Sequence, residues 1–295
     1  MQCKTVLTCI DAFRTDELPV IEKTAVAQHL KTCRSCGASS NDVDELASVV
    51  KTLTIVPERS CRDACMETIT DSYDLVDTGA GTVLVAFASG GIRYITTDTA
   101  IDDVRPIYAK RYRRALQRSA IAEPLRRQVV AAVRGEGVDA PKVDLAESRD
   151  LEHDVLQMLT KIPRGEVRTY AWVARQVGRP RAVRAVGNIV ARNMTPFLLP
   201  CHRVVPASGG IGNYIFGPEM KRTMLEREGV DVANLETLAR DHVRYIGSRT
   251  THIFCFPTCK DARRIREENR VPFRDADDAL ETGYRPCRRC QPVAA

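Results

Sequence analysis

Two pairs of cysteines, Cys255-x3-Cys259 and Cys287-x2-Cys290, stand twenty-seven residues apart near the end of the chain. They narrow what that end can fold into, because two close pairs across a domain-sized loop supply the four thiolates of a tetrahedral zinc site. A second cluster, His29-x3-Cys33-x2-Cys36, lies near the start, with Cys3 and Cys9 upstream as candidate fourth ligands. Eleven cysteines would suggest disulfides in a short secreted protein. Here most fall in pairs two or three residues apart, which in a reducing compartment reads as metal ligation. Zinc is therefore expected at both ends. Cys61 and Cys65 are spaced to share one helix face and read as packing residues.

At 295 residues the chain has room for two or three domains with an ample core, and three are expected. The net charge of +6 is modest, but arginines cluster at 110–127, 179–192, 263–270 and 285–289, a distribution that favours a polyanionic partner. No charged start followed by a long apolar run is present, and no apolar stretch approaches a membrane span. A cytoplasmic protein without membrane contact, and monomeric, is expected.

The candidate nucleophile is Cys201, in Pro200-Cys201-His202-Arg203-Val204 behind the apolar, strand-like Phe197-Leu198-Leu199. A free thiol is only a few per cent ionised at neutral pH, so attack on carbon needs a neighbouring base or positive charge. His202 and Arg203 offer both.

Around it the pattern is helical. Leu151, Val155, Met158, Leu159 and Ile162 recur at helical spacing. A second helix from Tyr170 to Gln176 ends at Gly178, and Pro180 suits the first turn of a third that runs to about Arg192. Helix, short glycine-containing turn, helix is a helix-turn-helix arrangement. On the third helix Val183, Val186 and Val190 face one way, while Arg181, Arg184, Asn188 and Arg192 form a basic stripe on another. Upstream, 82–95 reads as a hairpin about Gly90-Gly91, followed by helices at about 101–117 and 122–134. In the first segment Leu18, Ile21, Val26 and Leu30 mark a helix stripe, with Asp16 or Glu17 near its start.

The runs Leu151-Glu152-His153-Asp154-Val155-Leu156, Lys161-Ile162-Pro163-Arg164-Gly165-Glu166-Val167, Arg184-Ala185-Val186-Gly187 and Leu225-Glu226-Arg227-Glu228-Gly229, with the Cys201 motif among them, resemble the O6-alkylguanine-DNA alkyltransferase family over about eighty residues. That resemblance implies a small α/β domain upstream and assigns parts to the site. Tyr170 would rotate the damaged nucleotide out of the duplex and Arg184 would fill the gap, flanked by Arg181 and Asn188 on the backbone. Cys201 would take the alkyl group by direct displacement, with His202 and Glu228 drawing off the thiol proton through a water. Asn193 would brace the turn, Tyr214 would donate to the guanine, and the N–H of Ile215 would bind O6. The product thioether has no route back to the thiol, so each molecule acts once. Ile215-Phe216 stands where many members have Ser-Gly or Gly-Gly, and Phe216 is expected to narrow the pocket against benzyl groups.

The run Ile253-Phe254-Cys255-Phe256-Pro257-Thr258-Cys259 and the later Gly283-Tyr284-Arg285-Pro286-Cys287-Arg288-Arg289-Cys290 resemble the metal-binding domain of Ada. The cysteine that matches the methyl-phosphotriester acceptor of that pattern is Cys255, with arginines 263, 264, 285, 288 and 289 to grip phosphates. A structural zinc domain that only adds DNA affinity would carry the same signature. Phe256 replaces an arginine of the pattern. The HxxxCxxC element resembles the zinc module of anti-sigma factors, in which an upstream cysteine completes the site, and the spacing fits Cys3 better than Cys9.

The expected architecture is an α+β multidomain chain: a helical zinc module at 1–50, a linker at 51–70, a small α/β domain at 71–145, a helix-turn-helix-containing alkyltransferase domain at 146–235, and a four-cysteine zinc domain at 243–295. Two other functions stay open. One is a methylation-responsive regulator that signals through the first module to a sigma factor or other protein partner. The other is a lesion binder without transfer, against which a cysteine at 201 argues.

Overall fold

The structure is a computed structural model, and it describes residues 1–14, 17–52, 69–136, 141–146, 148 and 150–293. Cys61, Cys65 and Asp16 lie outside those residues. The chain divides into two compact units, Met1–Cys65 and Met66–Ala295.

The first unit holds three helices, α1 (Cys3–Arg14), α2 (Val20–Thr32) and α3 (Arg34–Thr52). Val6, Ile10, Val26 and Cys36 are its buried centre. Of the expected stripe, Val26 is buried and Leu18 and Leu30 pack at the edge, but Ile21 is 85% exposed. The reason is the helix start. α2 begins at Val20 behind Pro19, with no side-chain cap, so Ile21 sits in an outward-facing first turn.

The second unit opens with a four-stranded sheet of order β3-β2-β1-β4. Its strands are β1 (Thr70–Asp77), β2 (Thr82–Ala88), β3 (Gly91–Thr96) and β4 (Ala115–Arg118). The hairpin about Gly90-Gly91 forms as expected. β4 lies parallel to β1, where the sequence suggested the end of a helix. That helix, α4 (Ile101–Tyr112), stops at Arg113 in the left-handed conformation (φ 56°), which frees 115–118 to pair. α5 follows at Glu123–Arg134.

Both faces of the sheet are covered. Leu84 and Ala86 pack with Val104, Tyr108 and Tyr112 of α4, and Val83, Val85 and Ile95 pack with Val129 of α5 and with Phe197, Leu198 and Met224. Burial on two sides explains why β2 reads as an unbroken apolar run. β1 carries Asp71 in the interior, where it accepts from Tyr108 Oη (2.6 Å), Arg93 (2.9 Å) and Arg114 (2.8 Å). A buried carboxylate persists only with such partners.

Behind it come α6 (Asp150–Leu159), β5 (Arg168–Thr169), α7 (Tyr170–Gln176), α8 (Val183–Ala191), β6 (Val204–Val205), α9 (Pro218–Arg227) and α10 (Val232–Arg240). α7 and α8 make the helix-turn-helix. Gly178 takes φ +69° at the turn, and Pro180 lies in that turn rather than in the first turn of α8, which starts at Val183 after the Ala182 cap. The last segment forms a sheet of order β10-β8-β7-β9, from β7 (Tyr245–Ser248), β8 (Ile253–Cys255), β9 (Arg270–Phe273) and β10 (Arg285–Pro286), with α11 (Ala276–Glu281) on it.

No helix among the described residues is long and apolar enough to cross a membrane.

Candidate active site and zinc centres

Cys201 opens a single 3-10 turn, Cys201–Arg203, and is 3% exposed. Phe197-Leu198-Leu199 is a buried turn, not the end of a strand, and Phe197 takes φ +71°. The turn is braced from Asn193, whose Nδ2 donates to Leu199 O (3.3 Å) while its Oδ1 accepts from Thr195 N (3.0 Å). Burial pushes the Cys201 thiol above its ordinary pKa, opposed by hydrogen bonding with Asn193 and Tyr214 and by the charge of Lys221. The group is therefore a thiol until something takes its proton.

His202 is placed to do so. Its Nε2 lies 2.9 Å from Glu228 Oε1, and Arg203 donates to both oxygens of the same carboxylate, at 2.9 and 2.7 Å. His202 and Arg203 hold the Glu228 carboxyl down to about 2 against the effect of its burial. An ionised carboxylate only accepts, so Nε2 carries the imidazole proton and Nδ1 is left as an acceptor. Nδ1 is buried with no partner among the described residues. Burial lowers the pKa of His202, so the ring is neutral and able to take a proton. A cavity of about 180 Å³ reaches His202 and Glu228 from the α5 side, which gives a water a way in.

The loop ahead of β5 reaches the same carboxylate. Gly165 N lies 3.4 Å from Glu228 Oε2, and a Cβ on Gly165 would stand 2.8 Å from Glu228 O. Only glycine fits there, and its φ of +74° points the same way.

Tyr214 Oη lies 3.9 Å from Cys201 Sγ, and burial pushes its hydroxyl pKa up. The turn Tyr214–Gly217 closes through Gly217 N to Tyr214 O (3.1 Å). It turns Ile215 outward, 55% exposed, and lays Phe216 flat on Phe197 with centroids 5.2 Å apart. Ile215, Phe216, Asn193 and Arg192 border one groove of about 850 Å³. Tyr170 begins α7, half-buried. Arg181, Arg184, Asn188 and Arg192 are all exposed, opposite buried Val186 and Val190. Among the described residues no carboxylate pairs with Arg181, Arg184 or Arg192, so their charge is free for an anionic partner.

Sequence reasoning missed Lys221. It is 1% exposed and donates to Val204 O (2.7 Å) and Asn213 O (3.3 Å), which ties β6 to the Tyr214 loop. Burial pushes it down to about 8, against the pull of Cys201. Nothing local marks it, because Met220-Lys221-Arg222 reads as a surface helix.

The ligand atoms of Cys255, Cys259, Cys287 and Cys290 all lie within 4.8 Å of one another, as do those of Cys3, His29, Cys33 and Cys36. The donor sets fit zinc, four thiolates in one case and three with an imidazole in the other. In the second set His29 Nε2 is buried without a hydrogen-bond partner among the described residues, as a ligand atom would be. Cys9 is not in the set. Cys255 and Cys287 border an open groove of about 650 Å³ with Arg264, Arg266, Arg285, Arg288 and Arg289. Arg263 is not there and borders a separate cavity beside Gly165.

Residues 150–230 match the family model for the 6-O-methylguanine DNA methyltransferase, DNA binding domain. Residues 236–293 match that for the metal binding domain of Ada. The chain thus carries a segment similar to the alkyltransferase DNA-binding domain, followed by one similar to the metal-binding domain of Ada. Among its relatives, the methylated-DNA-protein-cysteine methyltransferase of Methanosarcina acetivorans is 39% identical over 104 residues, 35% of this chain and 66% of that protein. That of Methanosarcina barkeri is 29% identical over 163 residues, 53% of this chain and 96% of that protein. The regulatory protein ada of Salmonella typhimurium is 32% identical over 161 residues, 53% of this chain and 45% of that protein. The chain thus spans less than two thirds of the first and third of these. Along this chain the Ada-like segment follows the alkyltransferase-like one and packs on it. Cys201, Val204, Trp172 and all four cysteines of the C-terminal cluster share one apolar core.

Proposed function

We propose that this protein is an alkyltransferase that repairs O6-alkylguanine in duplex DNA by a single, irreversible transfer of the alkyl group to Cys201. The observation that carries the reading is the buried thiol of Cys201 beside a neutral histidine, His202, whose far nitrogen is fixed on Glu228. Such a thiol is inert until an electrophile and a base meet it together.

Arg181, Arg192 and Asn188 hold the phosphate backbone, and Arg184 takes the space left by the rotated nucleotide. Tyr170, at the start of α7, crowds the phosphate and drives the rotation. The proton of Cys201 passes to His202 Nδ1, through a water from the adjoining cavity, and the imidazolium is stabilised by Glu228. The sulfur forms a bond to the alkyl carbon as the carbon–O6 bond breaks. The purine leaves as an anion stabilised by hydrogen bonds from Tyr214 Oη and the Ile215 N–H. The proton held on His202 then returns to the purine or to solvent, and the thioether on Cys201 remains.

Zinc on Cys255, Cys259, Cys287 and Cys290 keeps those sulfurs as thiolates and closes the C-terminal fold. Cys255 faces the arginine-lined groove, which supports a second transfer from a DNA methyl phosphotriester to its sulfur. Zinc on Cys3, His29, Cys33 and Cys36 holds the three N-terminal helices together. That module exposes Val20 (80%), Ile21 (85%) and Leu46 (64%), which supports a second reading, a protein partner such as a sigma factor that docks there.

The test is peptide mass analysis after incubation with duplexes that bear either O6-methylguanine or a methyl phosphotriester. Methyl on the Cys201 peptide from the first lesion, and on the Cys255 peptide from the second, is the expected result. An unmodified Cys201 with O6-methylguanine consumed would refute the main reading.

A further inference from the structure

Glu166 and Arg168 form an ion pair in the interior, both side chains 2% exposed, and the chemistry above uses neither. A buried pair of this kind is a poor source of stability but a strict one of geometry, since each charge tolerates burial only where its partners stand. The partners here come from both domains. The Arg168 guanidinium lies 5.5 Å from the Trp172 ring and 5.3 Å from the Phe256 ring, an arrangement that favours a desolvated cation. Glu166 Oε1 accepts from Lys260 N (3.1 Å), and Val167 N donates to Thr258 Oγ1 (2.9 Å). Three consecutive residues, 166 to 168, therefore grip 256–260, the loop that carries Cys259. Trp172 Nε1 donates to Cys290 O (2.9 Å) and Arg175 to Pro292 O (2.7 Å), so the second cysteine pair is held from α7.

The same residues face the acceptor thiol on their other side. Arg168 and Thr169 pair in register with Val204 and Val205, directly after the Cys201–Arg203 turn. Thr169 also caps the helix that Tyr170 begins, through Trp172 N (3.1 Å). One short strand thus fixes both the turn that presents the thiol and the helix that opens on Tyr170. Phe256 stands where the Ada pattern has an arginine, and it is 5% exposed. It is not a lost phosphate contact. It is the face against which Arg168 rests.

We propose that Arg168 is a positioning residue for transfer to Cys201, and that the C-terminal zinc domain, through Phe256, is the element that holds it in place. This rests on Cys201 being the acceptor. A displacement of the turn by about 1 Å is enough to slow a transfer roughly 10²-fold, so undocking the zinc domain slows transfer at Cys201.

The experiment uses the full-length, zinc-loaded protein with Phe256→Arg, which sets a second guanidinium against Arg168, and Phe256→Tyr, which keeps the ring. Trp172 is the one tryptophan in the chain, so its emission reads docking directly. Single-turnover transfer from saturating O6-methylguanine duplex reads the Cys201 step. Phe256→Arg is expected to shift the emission to the red and lower the maximal transfer rate by about 10²-fold, with the half-saturating DNA concentration little changed. Phe256→Tyr should match the parent in both. A Phe256→Arg protein that undocks and still transfers at the parent's rate overturns the proposal, as does one whose emission stays that of the parent. Should it not accumulate as folded protein, Glu166→Gln carries the same test, since it removes the charge that fixes Arg168. If the parent leaves Cys201 unmodified, the proposed function and the role of Arg168 fall together, while the emission shift still reports the docking.

Discussion

Arg203 grips Glu228 with two hydrogen bonds, Nε to Oε2 at 2.9 Å and Nη2 to Oε1 at 2.7 Å, and so keeps ionised the carboxylate that orients the neighbouring His202. Replacing Glu228 by glutamine leaves a half-buried guanidinium without its counter-charge and frees the imidazole to rotate. Glu228→Gln should lose about 3–5 kcal/mol of stability and slow transfer by about 10²–10⁴-fold. Chemical denaturation and single-turnover assays on one preparation would separate the two effects.

Acid should act in two stages. The pKa of His202 is lowered by burial, so the unfolded chain binds its proton more readily, and stability declines as pH falls below the ordinary histidine value of about 6.5. The carboxyl of Glu228 is depressed to about 2 from 4.5, so its contribution is whole above about 4.5 and is lost as pH falls towards 2. Denaturant midpoints at a series of pH values should decline from the histidine range downward and steepen below 4.5. In Glu228→Gln the lower stage should shrink to what other depressed carboxyls such as Asp144 contribute. A pH-independent midpoint would contradict the geometry of the pair.

The unpaired arginines beside α8 make a prediction about salt. Arg181→Ala should weaken binding to any duplex and reduce the slope of log K against log salt by about 1. Arg184→Ala should instead slow transfer more than it weakens binding, because the role proposed for it is filled only when the base is out. Fluorescence anisotropy over a salt series, with transfer rates alongside, distinguishes them.

Phe216 lies flat on Phe197 and edge-on to Tyr214, where it is expected to admit methyl and resist benzyl. Phe216→Gly should raise the rate on O6-benzylguanine far more than that on O6-methylguanine. Equal rates on the two substrates in the parent would refute the role.

Much of the site was legible because its signals are local. The cysteine spacings pointed to both ligand sets, the helical period to α6, and the Cys201 and Glu228 motifs to side chains that meet 2.9 Å apart through His202. What stayed hidden depends on distant partners. β1 carries Asp71 and Asp74, which read against a strand until Arg93, Arg114 and Arg126 are seen to neutralise them from elsewhere in the fold. The early stop of α4 has no glycine to announce it, since Arg113 itself adopts the left-handed turn. Lys221 looks like a surface residue because its acceptors are backbone carbonyls eight and seventeen positions away. Phe256 looked like a missing charge, because nothing in its own segment shows that Arg168 waits on the facing strand.

The central claim is that the sulfur of Cys201 takes the alkyl group and keeps it. Peptide mass analysis of parent protein and Cys201→Ser after incubation with duplex O6-methylguanine tests it most directly. The parent should gain one methyl on the Cys201 peptide for each lesion lost, and Cys201→Ser should leave the lesion intact. Clearance of the lesion by Cys201→Ser at the parent's rate would contradict the account.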